Sequence, residues 1–134
     1  MPRNRAWVFL FAAGVGLVIS GGGCGSGDKT YDLWGTVTFQ GKPVPAGSIL
    51  FEPAAGNKGP SGYAKIKDGR YDTRDPDCRG IIGGPHLVQI RGLDGIRRGE
   101  LLNGVPIFPE HTLTVDLPKA NGTKDFEVKP NGGR

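Results

Sequence analysis

Cysteine occurs only twice in 134 residues, methionine once and tryptophan twice. Two cysteines exclude the disulfide framework that holds many small secreted domains together. Histidine is equally scarce, and His86 and His111 do not lie at the short spacings of compact zinc motifs. No block of five or six like charges occurs, and no basic run interleaved with aromatics marks a phosphate-tracking groove. Nucleic acid is therefore not an expected partner. An amphipathic helical repeat is missing as well, and the chain has a single long apolar run.

Glycine and proline are abundant, at 24 and 11, which approaches the composition of low-complexity chains. Most of the glycines punctuate alternating segments, however, so the pattern is that of turns between strands. Of the 17 basic residues, Arg3 and Arg5 precede the apolar run, leaving 15 against 13 acidic residues and a nearly neutral remainder. The high pI is thus no argument for an anionic partner.

Residues 1–5 carry two arginines and no acid, residues 6–19 (AWVFLFAAGVGLVI) are almost wholly apolar, and Gly21-Gly22-Gly23-Cys24 follows. This is the layout of a secretory signal peptide over residues 1–23. About 14 residues of helix span about 21 Å, short of the roughly 30 Å hydrocarbon core. An uncleaved anchor helix, recruiting residues 20–23, is the alternative. Both place the domain outside the cytoplasm. Residues 24–31 read as a flexible tether and residues 130–134 as a disordered tail.

Within residues 32–129, period-two alternation predicts strands. Leu33, Val37 and Phe39 alternate with Trp34, Thr36 and Thr38. Residues 48–52 resume after a turn, with Ile49 and Phe51 inward, and residues 53–61 form a loop. Residues 62–67 and 70–73 flank Asp68-Gly69, a strong two-residue hairpin signal. Residues 75–84 are irregular. From Pro85, His86, Val88 and Ile90 share one face, and Leu113, Val115 and Leu117 are inward in the strand that opens at His111. Residues 92–109 allow at most one helical turn. Asn121-Gly122 predicts a second hairpin, into residues 123–128. Seven short strands predict an all-β, seven-stranded antiparallel sandwich, with edges punctuated by Pro and Lys against edge-to-edge association.

The small-small-Cys ending of the leader resembles the lipobox of bacterial lipoproteins. It implies cleavage before Cys24, lipidation of its thiol by diacylglyceryl and acyl (palmitate-type) chains, and a membrane partner reached through that anchor. Gly21 stands where the lipobox has Leu. Gly25 rather than Asp follows the cysteine, which implies the outer membrane or the periplasmic face. Residues 35–53 (GTVTFQGKPVPAGSILFEP) and 62–73, with Asp68-Gly69-Arg70-Tyr71, resemble the carboxypeptidase regulatory-like domain of the transthyretin (prealbumin-like) sandwiches. Residues 83–92 (GGPHLVQIRG), Phe108-Pro109-Glu110, residues 115–118 and Asp125-Phe126 extend this to the small lipoproteins of planctomycetes. The resemblance implies a Greek-key sandwich over residues 32–129. Transthyretin-like hydroxyisourate hydrolases end in Tyr-Arg-Gly-Ser; this chain ends KPNGGR, so their activity is not implied.

No catalytic constellation is apparent. Residues 80–85 (GIIGGP) lack the helix and Lys-Ser/Thr of a phosphate loop. Asp72, Asp75 and Asp77 lack the twelve-residue, glutamate-closed calcium pattern. No cofactor or metal is expected. The expected role is a non-catalytic binding or structural module of the cell envelope, with an envelope protein or glycan as partner. The alternative is a carbohydrate- or peptide-binding accessory domain. It would act through Trp34 and the loops of residues 53–61 or 92–109; the candidate residues are Trp34 and Tyr63, as stacking platforms, with Asp75 and Asp77 in the irregular loop. Cys78 has no intrachain partner if Cys24 is acylated. A Cys24–Cys78 disulfide, or a metal- or redox-linked role at Cys78, are weaker readings.

Overall fold

The computed structural model describes residues 29–130. The leader, Cys24 and the last four residues of the tail lie outside them. The described residues form nine strands and no helix: β1 Leu33–Phe39, β2 Lys42–Pro43, β3 Ala46–Pro53, β4 Gly62–Lys67, β5 Arg70–Asp72, β6 Gly84–Leu93, β7 His111–Leu117, β8 Gly122–Thr123 and β9 Phe126–Val128. Seven of them pair antiparallel in the order β2-β1-β5-β4-β3-β6-β7, and the sheet curls into a half-barrel. The short β8 and β9 pair with β1 in parallel.

Alternation decides which side faces the core. Ile49 and Phe51 of β3, Val88 and Ile90 of β6, and Ala64 and Ile66 of β4 are buried on the concave side. Phe51 lies 5.9 Å from Tyr71 and 6.2 Å from Phe126, ring centre to ring centre, so the β9 end of the sheet folds over β3. These offset rings carry much of the apolar burial. The Tyr71 hydroxyl donates to the Lys124 carbonyl at 2.5 Å. Burial, then Asp125 and Asp72, push its pKa far above the usual tyrosine range. His86 is fully buried among these aliphatics. Its Nδ1 lies 2.8 Å from the Gly84 carbonyl oxygen, and its Nε2 has no hydrogen-bond partner among the described residues.

Asp68 and Gly69 both take positive φ, at 51° and 74°, closing the β4–β5 hairpin as their sequence requires. Four expectations are corrected. β3 starts at Ala46, because Gly47 reaches a φ that lets it run close against β6. Residues 94–110 contain no helical turn. Asn121-Gly122 is not a hairpin: the Asn121 side chain accepts from the Asp32 amide at 2.8 Å, and the chain crosses to pair with β1. Finally, the two outer edges are not equally protected. The β8/β9 edge is broken into pieces of two and three residues, whereas β7 runs seven residues without Pro or Lys.

Candidate functional site

The outer face of the sheet carries the polar half of each alternating strand. Ser48 and Leu50 of β3, Tyr63 and Lys65 of β4, and Gln89 and Arg91 of β6 stand side by side, as the β3–β4 and β3–β6 registers dictate. Residues 94–110 rise beside this shelf as a wall. Between wall and shelf lies a groove of about 580 Å³, lined by Ser48, Tyr63, Arg91, Asn103, Phe108 and Glu110 among others. Tyr63 also lines a hollow of about 530 Å³ toward Lys65 and Lys67 and one of about 210 Å³ toward Leu50 and Gln89. Its half-buried ring is the junction of all three. The Arg91 guanidinium pairs with the Glu110 carboxylate across the groove mouth.

Backbone bonds, among them Asp94 to Val105, Gly95 to Asn103 and Arg98 to Leu101, hold the wall together, and one carboxylate adds to them. Asp94 accepts from the Ile96 amide at 2.9 Å and the Val105 amide at 3.3 Å, and pairs with Arg98 at 2.8 Å. Gly104, at φ 87°, sits so close to Asp94 that a Cβ there would collide with the carboxylate. The loop is therefore pinned while presenting Ile96, Leu101 and Leu102 to solvent, each more than half exposed. The amide bonds, then Arg98, hold the Asp94 carboxyl below the usual carboxylate range. A group with a depressed folded pKa contributes stability above its unfolded pKa and loses it as pH falls through the folded one. Hydrogen-exchange protection of the Ile96 and Val105 amides is thus expected at neutral pH and is expected to be lost only as pH falls through the folded pKa, below the usual carboxylate range. Asp94→Ala should remove it at every pH while the β-sheet amides keep theirs.

The sequence candidates do not converge on one place. Tyr63 lies in the groove. Asp77 is exposed at its far side, 4.0 Å from Lys65, at the left-handed φ of 63°. Trp34 and Asp75 belong to a separate polar hollow of about 530 Å³ with Arg70, Asp72 and Asp125. There the Arg74 guanidinium stacks on the Trp34 ring, 4.1 Å from its centre, and is gripped by both oxygens of Asp72 at 2.7 and 2.8 Å. The hydrogen bond from Arg74 holds the Asp72 carboxyl below its ordinary pKa. Arg74 thus covers one face of the Trp34 ring.

Asp72, Asp75 and Asp77 do not gather, and no group of three His, Cys, Asp or Glu side chains converges among the described residues. His86 pairs with Val115 and His111 with Ile90, apart along the sheet. Cys78 is half-buried against the core and has no disulfide partner among the described residues; Cys24 lies outside them. The sequence marked residues 92–109 as a candidate binding loop but not their shape as a wall, for which Asp94-Gly95 and the aliphatics at 96, 101, 102 and 105 were the available signals. Comparison with protein-family models, curated proteins and solved structures gives no match.

Proposed function

We propose that the chain is a cell-envelope lipoprotein whose β domain is a non-catalytic binding module, with the Tyr63 groove as its binding surface. The observation that carries this reading is the pinned wall of residues 94–110 standing beside a half-exposed tyrosine on a mostly polar face. A half-exposed aromatic ring flanked by Ser48, Asn103 and the Arg91–Glu110 pair suits a polyhydroxylated ligand. The ring takes the apolar face of a sugar and the planar polar groups take its hydroxyls. A glycan is therefore the favoured partner, and an envelope protein the second.

The resemblance to carboxypeptidase regulatory-like, prealbumin-type Greek-key sandwiches supplies the finer fold reading. The antiparallel all-β order and the β9 edge folded over Phe51 are compatible with it. Lipidation at Cys24 follows from the leader. Tyr31 bridges to Ile81, at the Phe51–Pro53 end of β3, whereas the groove opens at its Ala46 end. A chain anchored through Cys24 would hold the groove away from the membrane.

Intact mass of the chain made in a lipoprotein-processing host is expected to show cleavage before Cys24 and an added lipid. An unprocessed mass contradicts the anchoring. Catalytic turnover that depends on His86 or His111 contradicts the module reading.

A further inference from the structure

Among the described residues β7 has one side unpaired, and the hydrogen-bond phase shows which groups face outward. Pro85 has no amide hydrogen, and its carbonyl accepts from the Ala54 amide and the Asn57 side chain, both at 2.9 Å. Its peptide groups therefore point toward β3. Its register partner on β7 is Asp116, so that pair is not a hydrogen-bonded one. By the alternation of antiparallel ladders, the amides and carbonyls of Thr112, Thr114 and Asp116 are directed away from β6, into the free edge.

On the inner side of that edge, Leu113 and Val115 are only half-buried, unlike Leu117. At the His111 end the edge borders a cleft of about 240 Å³ between β7 and β9, lined by Phe39, Ile107, Phe108, His111 and Val128. No Pro, Lys or break guards the strand, and folded proteins normally guard such edges. Donors and acceptors repeating every second residue, about 6.8 Å apart, match the backbone of another strand. They do not match a sugar or a lipid. Asp116 makes no salt bridge among the described residues, which favours a cation opposite it.

We propose that the free edge of β7 binds an extended polypeptide segment of a partner protein. It adds as a further strand through the backbones of Thr112, Thr114 and Asp116. Alternate aliphatic residues of the segment cover Leu113 and Val115, and a basic residue stands beside Asp116. This site is separate from the Tyr63 groove and stands whether or not that groove binds sugars.

The probe is an acetylated, amidated peptide VKVTVTV, labelled for fluorescence anisotropy and titrated with the full-length chain. Antiparallel addition places its second, fourth and sixth residues against β7. N-methylation of the fourth residue is expected to weaken binding roughly tenfold or more, the worth of a hydrogen bond plus a clash, and N-methylation of the fifth to leave it unchanged. Thr114→Pro removes the matching donor on the protein without touching a β6 bond and is expected to weaken binding by a similar factor. Leu113→Lys tests the apolar side independently of the backbone. Equal effects of the two methylations, no binding of the unmodified peptide, or self-association of the chain through the same edge would each overturn the proposal.

Discussion

Phe51→Ala is expected to remove most of the domain's stability. Phe51 is fully buried at the middle of the concave face, and its ring meets Tyr71 and Phe126 at centroid distances of 5.9 and 6.2 Å. Those two residues come from β5 and β9, on the far side of the fold in sequence. Truncation removes the group to which both are fitted. Phe→Ala in a core costs about 3–5 kcal/mol, against a total stability of about 5–15 kcal/mol for a domain. A thin core sits toward the lower end of that range. Thermal or urea denaturation followed by circular dichroism measures the loss. Phe51→Leu, which keeps most of the volume, is expected to cost about half as much or less. A Phe51→Ala protein melting within a degree or two of the parent contradicts this packing.

Gly47→Ala is the second large effect, and its cause is backbone geometry instead of a cavity. Gly47 takes φ 146°, outside the comfortable range of L side chains, and a Cβ built there collides with the Arg91 carbonyl oxygen. Gly47 pairs with Gly92, and Phe108 packs where a Gly92 Cβ would be. The β3–β6 crossing is thus close because neither strand has a side chain at that point. Strain and overlap together are expected to cost roughly 2–5 kcal/mol. Gly41→Ala separates the two causes. Gly41 is also left-handed, at φ 75°, but has open space around it, so its cost is expected to be only about 1–2 kcal/mol. Gly47→Ala also lifts the floor of the Tyr63 groove, so residual folded protein should bind weakly. Equal melting temperatures for the two variants contradict the crowding of β3 against β6.

The local signals were read directly. Alternation put Ile49 and Phe51 inside and Val88 and Ile90 on one face, and Asp68-Gly69 marked its hairpin because positive φ at both residues is a property of the dipeptide itself. What depended on distant partners was not legible. Asn121-Gly122 has the composition of a turn, yet Asn121 spends its side chain on the Asp32 amide, 89 residues away. The parallel pairing of β8 and β9 with β1 leaves no periodic trace. The wall of residues 94–110 has neither strand nor helix pattern, since it is organised by isolated backbone bonds across the loop and by Asp94 reaching amides up to 11 residues on. Trp34 and Tyr63 are equal as sequence candidates. Only the fold shows that Arg74 covers one face of the Trp34 ring while Tyr63 stays beside the groove.

That contrast gives the most direct test of the binding reading. Retention on a panel of envelope and polymeric saccharides is to be measured for the parent chain, Tyr63→Ala and Trp34→Ala, with folding checked by melting temperature. The parent is expected to bind at least one saccharide class. Tyr63→Ala should lose roughly tenfold or more in affinity, since stacking and contact area on one aromatic ring are worth about 1–2 kcal/mol. Trp34→Ala should bind as the parent does. Retention that survives Tyr63→Ala and fails in Trp34→Ala would contradict the account and move the site to the hollow around Arg74 and Asp125.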